Sequence, residues 1–346
     1  MDNISQELEN MIVNSFDCNT NNVFKTNEEK AEYITNLLSR GRFRKAKLEE
    51  GTRKNMYDKI LLSINNNIPL HFIVCFGGYK HFWNESYPKV DYAELFNLMF
   101  FSEYFSVILK LHIPGVILEY GAEDVVLDLM NNYPREDLIS YEQSFKDLIK
   151  FYSKYIPSNF EIKYTSTKEK YNREDLVKFI LEKLAKCEKE WENFSDIEKE
   201  ENLHRSKRSI MWKGEEDWTN LNEEERNKKY IRSRCIDVLF CDNEVNFIGD
   251  YYDGENRIPV VLTWGLSFDN KEVNWLTLGS TFSSTVDFWI GRGILERHEN
   301  KFVPRIVSAT QYDKIKCKLI KVDIDCISLD NFKKLEIYDG IINFNN

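Results

Sequence analysis

The chain is poor in the short signatures that announce a chemistry. Its seven cysteines, Cys18, Cys75, Cys187, Cys235, Cys241, Cys317 and Cys326, are scattered and form no CxxC pair. An odd, unpaired set fits reduced, mostly buried thiols in a cytosolic protein. No HExxH and no clustered Cys and His occur, so no metal site is expected. GxGxxG and the GxxxxGK[ST] phosphate loop are both absent, and no dinucleotide fingerprint or P-loop is present. No GxSxG elbow presents a serine nucleophile. No apolar run reaches the roughly 18 residues of a membrane span. The polar, acidic opening segment gives no reason to expect a signal peptide. These absences predict a cytoplasmic protein that works with no metal and no cofactor. The net charge of −10 argues against nucleic acid or an anionic membrane as a partner. It leaves room for a local basic pocket that holds one phosphate or carboxylate, so a small-molecule substrate, anionic or amino-acid-like, is the expected partner. Oligomeric state is not legible.

What the chain has is material for a core. Of 346 residues 42% are hydrophobic and 14% aromatic, with 18 Tyr and 23 Phe, a composition that favours a packed globular protein over a disordered one. Residues 1–66 read as an N-terminal helical region, with Thr26 and Glu29 as a capping box. From Leu70 the pattern alternates. Strands are expected at 70–76, 115–120 and 160–166, with helices between them, one opening near Ala122. This spacing predicts an α/β fold with a Rossmann-like, mostly parallel sheet over 67–328. A charged helical insertion interrupts it at about 172–228, readable as a solvated lid or a partner surface. Two further strands, 257–265 and 273–279, read as a hairpin, the segment 280–298 as a helix and 316–329 as an edge strand. Residues 329–346 read as a C-terminal extension.

The richest stretch is His71–Glu94, "HFIVCFGGYKHFWNESYPKVDYAE". A β-rich run ends in Gly77-Gly78, which permits close backbone approach to a ligand. Lys80 and His81 follow among aromatics, able to hold a phosphate, a carboxylate or an enolate, or to sit as solvated loop residues. Asp91 can cap the next helix, which makes Glu94 either a capping-box partner or a general base beside Lys80. Glu119 and Glu123 lie where the second strand ends, as capping groups or as ligands for an amine or a ribose. Arg232 and Arg234 form an anion clamp or a solvated basic face. Ser283, in "GSTFSSTVDFW", is a helix cap or part of an anion site. Open parallel sheets place ligand sites at such strand ends.

The order of "FIVCFGGYKHF", "DYAELFNLMFFSEYF", "HIPGVILEY", "GAEDVVLDLM", "YIRSRCIDVLF" and "VNWLTLGST" resembles the isocyanide synthase family of pyoverdine and dityrosine biosynthesis, over roughly residues 70–280. The resemblance implies a Rossmann-like core and the conversion of an amino acid's amino group to an isonitrile, with a pentulose phosphate as carbon donor. It matches Lys80 to the family's loop lysine, Glu94 to its helix acid, and Arg232 or Arg234 to its helix arginine. The reading that follows is a biosynthetic enzyme acting on an amino-acid-like substrate with a phosphorylated co-substrate. Lys80 would form an imine or bind phosphate, Glu94 or Glu123 would move protons, and Gly77, Gly78, His81, Glu119, Arg232, Arg234 and Ser283 would bind. The alternatives are a nucleotide-donor transferase and a non-catalytic interaction protein.

Overall fold

The run Leu70–Phe76 is apolar at nearly every position, the composition of a strand covered on both faces. In the computed structural model it is β1, the middle strand of a five-stranded, all-parallel sheet. The structure describes residues 4–16, 18, 20, 22–40, 48–211, 218–240, 251–262, 273–279, 288–299 and 301–342. Around β1 lie β2 (Val116–Ala122), β3 (Phe160–Ser166), β4 (Arg257–Leu262) and β5 (Leu276–Leu278), in the order β3-β2-β1-β4-β5. Leu70 sits opposite Val116, Val116 opposite Phe160, and His71 opposite Arg257. This is the doubly wound, Rossmann-like arrangement, with its direction of winding reversing between β1 and β4.

Helices α1 (Ile4–Asn14), α2 (Asn27–Leu38) and α3 (Glu50–Asn65) precede the sheet, and Thr26 caps α2 through the Glu29 amide at 3.2 Å. One sheet face is covered by α4 (Tyr92–Leu111) and α6 (Arg135–Tyr152), with a short α5 (Leu127–Asn131) between β2 and α6. Phe72 packs on Phe105, and Phe76 on Tyr141 and Phe145. The opposite face carries Ile73, Cys75 and Val261 under Tyr251, Tyr252 and Trp275. The region expected as an insertion forms α7 (Arg173–Glu190) and α8 (Asp196–Ser209), followed by α9 (Glu223–Phe240). Leu176, Ile180, Ile236 and Leu239 join the main core, so the inner faces of α7 and α9 are fixed to the body of the fold.

A second sheet completes the described part. β6 (Arg292–His298), β7 (Lys301–Val307), β8 (Leu319–Asp323) and β9 (Lys334–Asp339) take the order β7-β6-β9-β8, and α10 (Ala309–Ile315) connects β7 to β8. β8 is the edge strand expected within 316–329. β9, from the stretch after residue 329, lies inside the sheet, parallel to β6. α4 is buried between the two sheets, which explains why it is apolar around its whole circumference. Gly293 makes the contact possible: a Cβ there would lie 2.2 Å from the Tyr92 carbonyl carbon and 2.3 Å from the Ala93 amide nitrogen. Gly293→Ala is therefore expected to cost about 1–3 kcal/mol or more in denaturant unfolding, because backbone cannot yield as a side chain can.

Three expectations are corrected. β4 and β5 are parallel, with Val260 opposite Leu276, and form no hairpin. The link between them is longer than a hairpin loop and long enough for a crossover. The expected helix over 280–298 is strand β6 from Arg292 onward, because pairing on both sides by β7 and β9 overrides the helical preference of Leu295-Glu296-Arg297. β2 continues through Ala122, and the next helix begins at Leu127.

Candidate functional site

The winding reversal puts the C-terminal ends of β1 and β4 side by side, the place where sheets of this topology bind ligands. Gly77 and Gly78 follow β1 directly. Gly78 has φ +77°, and a Cβ on it would meet Ala122 at 2.8 Å and the Tyr164 hydroxyl at 3.3 Å. The pair thus lets the turn lie down on the ends of β2 and β3.

From this turn the chain delivers Lys80 into the interior, only 1% exposed. Its ammonium donates to Asp91 Oδ1 at 2.9 Å, to both Glu94 oxygens at 3.1 Å and to the Gly291 carbonyl at 3.0 Å. Asp91 caps α4 and Glu94 closes the capping box, accepting the Asp91 amide at 2.8 Å. The Tyr141 hydroxyl donates to the same carboxylate at 3.1 Å. Lys80 and Glu94 are thus brought together, as the sequence suggested, in a dry cluster between the two sheets. Burial pushes the Glu94 carboxyl up to about 7, against the attraction of Lys80 and with the repulsion of Asp91. Every Lys80 N–H is committed, and the side chain presents no surface to a ligand. What this arrangement does best is tie the glycine loop, α4 and the second sheet together.

The two carboxylates of β2 and its end behave differently. Glu119 accepts from the His71 ring at 2.6 Å and from Thr165 Oγ1 at 2.7 Å. Burial disfavours its charge, but those hydrogen bonds outweigh burial and hold it below the usual range. Glu123 sits just past the strand end and is partly exposed. Its Oε1 accepts the Cys75 thiol at 3.1 Å. Burial of its carboxyl pushes it up to about 7, the Cys75 bond opposes this, and the charge of Asp237 on α9 adds to it. Burial thus leaves the Glu123 carboxyl able to take up or release a proton near neutrality, whereas hydrogen bonds keep Glu119 charged.

The remaining residues are dispersed. His81 Nε2 meets the Arg208 carbonyl at 3.1 Å and its ring stacks on Phe82, which ties the loop to the end of α8. Arg232 is exposed on α9. Arg234 is held by Asp237 and by Asn202 Oδ1, so the guanidinium serves a local ion pair. The structure therefore does not bring the two arginines to the glycine loop as a clamp. Ser283 lies outside the described residues. Among the described residues, no group of three or more His, Cys, Asp or Glu is placed to hold a metal ion. Sequence reasoning missed Cys75, Tyr252 and Asp237. Only the period-2 pattern of β1, which sets Cys75 on the face of Ile73, carried a signal for any of them.

The raised pair predicts a pH dependence. Glu94 and Glu123 ionise near 4.5 when unfolded and near 7 when folded. Across that interval these two groups hold more protons in the folded state than in the unfolded state, so their own contribution to stability falls as pH rises from about 4.5 to 7, opposite in sign to that of the lowered His81, His112 and Glu119. Urea unfolding at a series of pH values checks this. Wild type should lose stability relative to Glu94→Gln and to Glu123→Gln as pH rises through the interval, and a difference that does not move with pH contradicts the raised values.

No family model matches the sequence, and no curated protein sequence matches it. A solved structure does. The chain is similar to the PvcA protein from Pseudomonas aeruginosa, with a TM-score of 0.58 and 12% identity. The superposition covers 91% of this chain and 100% of that one, so the two share a fold from end to end.

Proposed function

We propose that the chain is a biosynthetic enzyme of the isocyanide-synthase type, acting on an amino-acid-like substrate with a phosphorylated small-molecule co-substrate. The observation that carries this is the fold likeness to PvcA over 91% of this chain, together with the order of sequence motifs that resembles the isocyanide synthase family. The working end is the edge formed by the C-termini of β1 and β2, where Glu123 is within reach of solvent. Glu123 is the proton carrier, and Glu119, further back on β2, is a fixed charge held by His71 and Thr165. Lys80 holds the loop in place through Asp91 and Glu94, and the substrate does not need to reach it. The anchoring of α7 and α9 in the core supports the insertion as the wall of a site over a free partner surface.

Incubation of the purified protein with aromatic amino acids and a pentulose phosphate tests this. The expected result is a product with an isonitrile stretch in the infrared that requires both reactants. Stabilisation by nucleotides alone, with no isonitrile formed, would instead identify a nucleotide-donor transferase.

A further inference from the structure

Cys75 lies near the end of β1, on the sheet face away from α4 and α6, among Ile73, Val261 and Tyr252. A thiol in such apolar company is usually an inert packing group. This one is directed at a carboxyl. Its Sγ–H donates to Glu123 Oε1 at 3.1 Å, across the ends of two adjacent parallel strands and next to the point where the winding reverses.

We infer that Cys75 is a positioning residue, whose S–H···O bond orients the Glu123 carboxyl and sets the pH at which it releases its proton. The inference rests on the function proposed above only in that Glu123 serves turnover. Three elements present titratable groups to Glu123: β1 with Cys75, the segment before β4 with Tyr252, and α9 with Asp237. Tyr252 donates to the Gly121 carbonyl at 2.8 Å and also hydrogen-bonds Glu123, favouring its ionised form less strongly than Cys75 does, and Asp237 is paired with Arg234. Asp237 repels a negative Glu123, whereas a thiol donor favours the ionised form. Cys75 therefore works against burial and against Asp237, and moves the proton's release toward neutrality. No bond to sulfur forms or breaks, and the proton that moves is the one on Glu123.

Infrared difference titration of the full chain tests this on wild type, Glu123→Gln, Cys75→Ala and Cys75→Ser. The carboxylic stretch lost in Glu123→Gln identifies Glu123, and the S–H stretch lost in Cys75→Ala identifies the thiol. In the wild type the Glu123 band should vanish with a midpoint of about 7, and the S–H stretch should shift with the same midpoint. Cys75→Ala should raise that midpoint by about 0.5–1 pH unit, the worth of one net hydrogen bond. The acid–base limb of the kcat/KM profile should move with it. Cys75→Ser supplies a stronger donor, so its midpoint should lie at or below that of wild type. A midpoint unchanged in Cys75→Ala, or a pH-dependent shift of the S–H stretch that persists in Glu123→Gln, overturns the inference. Should Cys75→Ala fail to fold, the S–H stretch in wild type against Glu123→Gln decides alone. Coupled titration without isonitrile formation supports the Cys75 role and counts against the proposed reaction. Isonitrile formation without coupled titration does the reverse.

Discussion

Lys80→Ala is expected to lower the free energy of unfolding by about 3–5 kcal/mol, the usual cost of removing one partner from a buried ion pair. The cause is what the substitution leaves behind. Asp91 and Glu94 would face each other in a dry interior with one fewer cation, and the Gly291 carbonyl would lose its donor. The second sheet would lose its tie to the loop that follows β1. Glu94 can relieve part of the strain by taking up a proton, so the loss should be larger above pH 7 than below it. A double variant, Lys80→Met with Glu94→Gln, removes charge of both signs and should recover much of the loss. Denaturant unfolding of the two variants at pH 5.5 and at pH 8, values chosen at about the two sides of this titration, reads both effects. A loss below about 1 kcal/mol would mean that the pair is solvated in solution. Borohydride trapping with substrate gives a separate check, since a committed Lys80 ammonium should yield no adduct.

Glu123→Gln is expected to lower turnover by about 10²–10⁴-fold, the range for loss of a general acid or base, with the fold preserved. Glutamine keeps the shape and still accepts the Cys75 thiol through its amide oxygen, but it holds no transferable proton. The contrast with Glu94→Gln makes the test specific. Glu94 is fully buried in the Lys80 cluster and its loss should appear in stability, whereas Glu123 is partly exposed and its loss should appear in rate. Turnover in Glu123→Gln within a factor of two or so of wild type, well short of any general acid–base contribution, would move the proton carrier elsewhere.

Much of the fold was legible because its signals are local. The apolar run of β1 and the Asp91–Glu94 capping box each report on residues within one turn or one strand. Alternation of such elements is enough to imply a parallel sheet. The direction of β5 was not legible, because pairing of Val260 with Leu276 depends on a crossover and on the neighbouring strands. β6 was missed for the same reason: Arg292–His298 is a strand only because β7 and β9 flank it. At the candidate site, the sequence correctly joined Lys80 to Glu94. It could not show that Gly291, more than two hundred residues away, completes the Lys80 shell. Nor could it show that Arg234 is already engaged by Asp237 on its own helix, or that Cys75 reaches across to Glu123. Such facts arise only when distant segments meet.

Hydrogen–deuterium exchange of the full chain, with and without an aromatic amino acid and a pentulose phosphate, tests most directly whether the ends of β1 and β2 are the working site. Binding there predicts protection concentrated in residues 75–81, 121–126 and 251–252, with the outer faces of α7 and α8 unchanged. Protection confined to the helical insertion, or none at the strand ends under conditions where the ligands raise thermal stability, would contradict it.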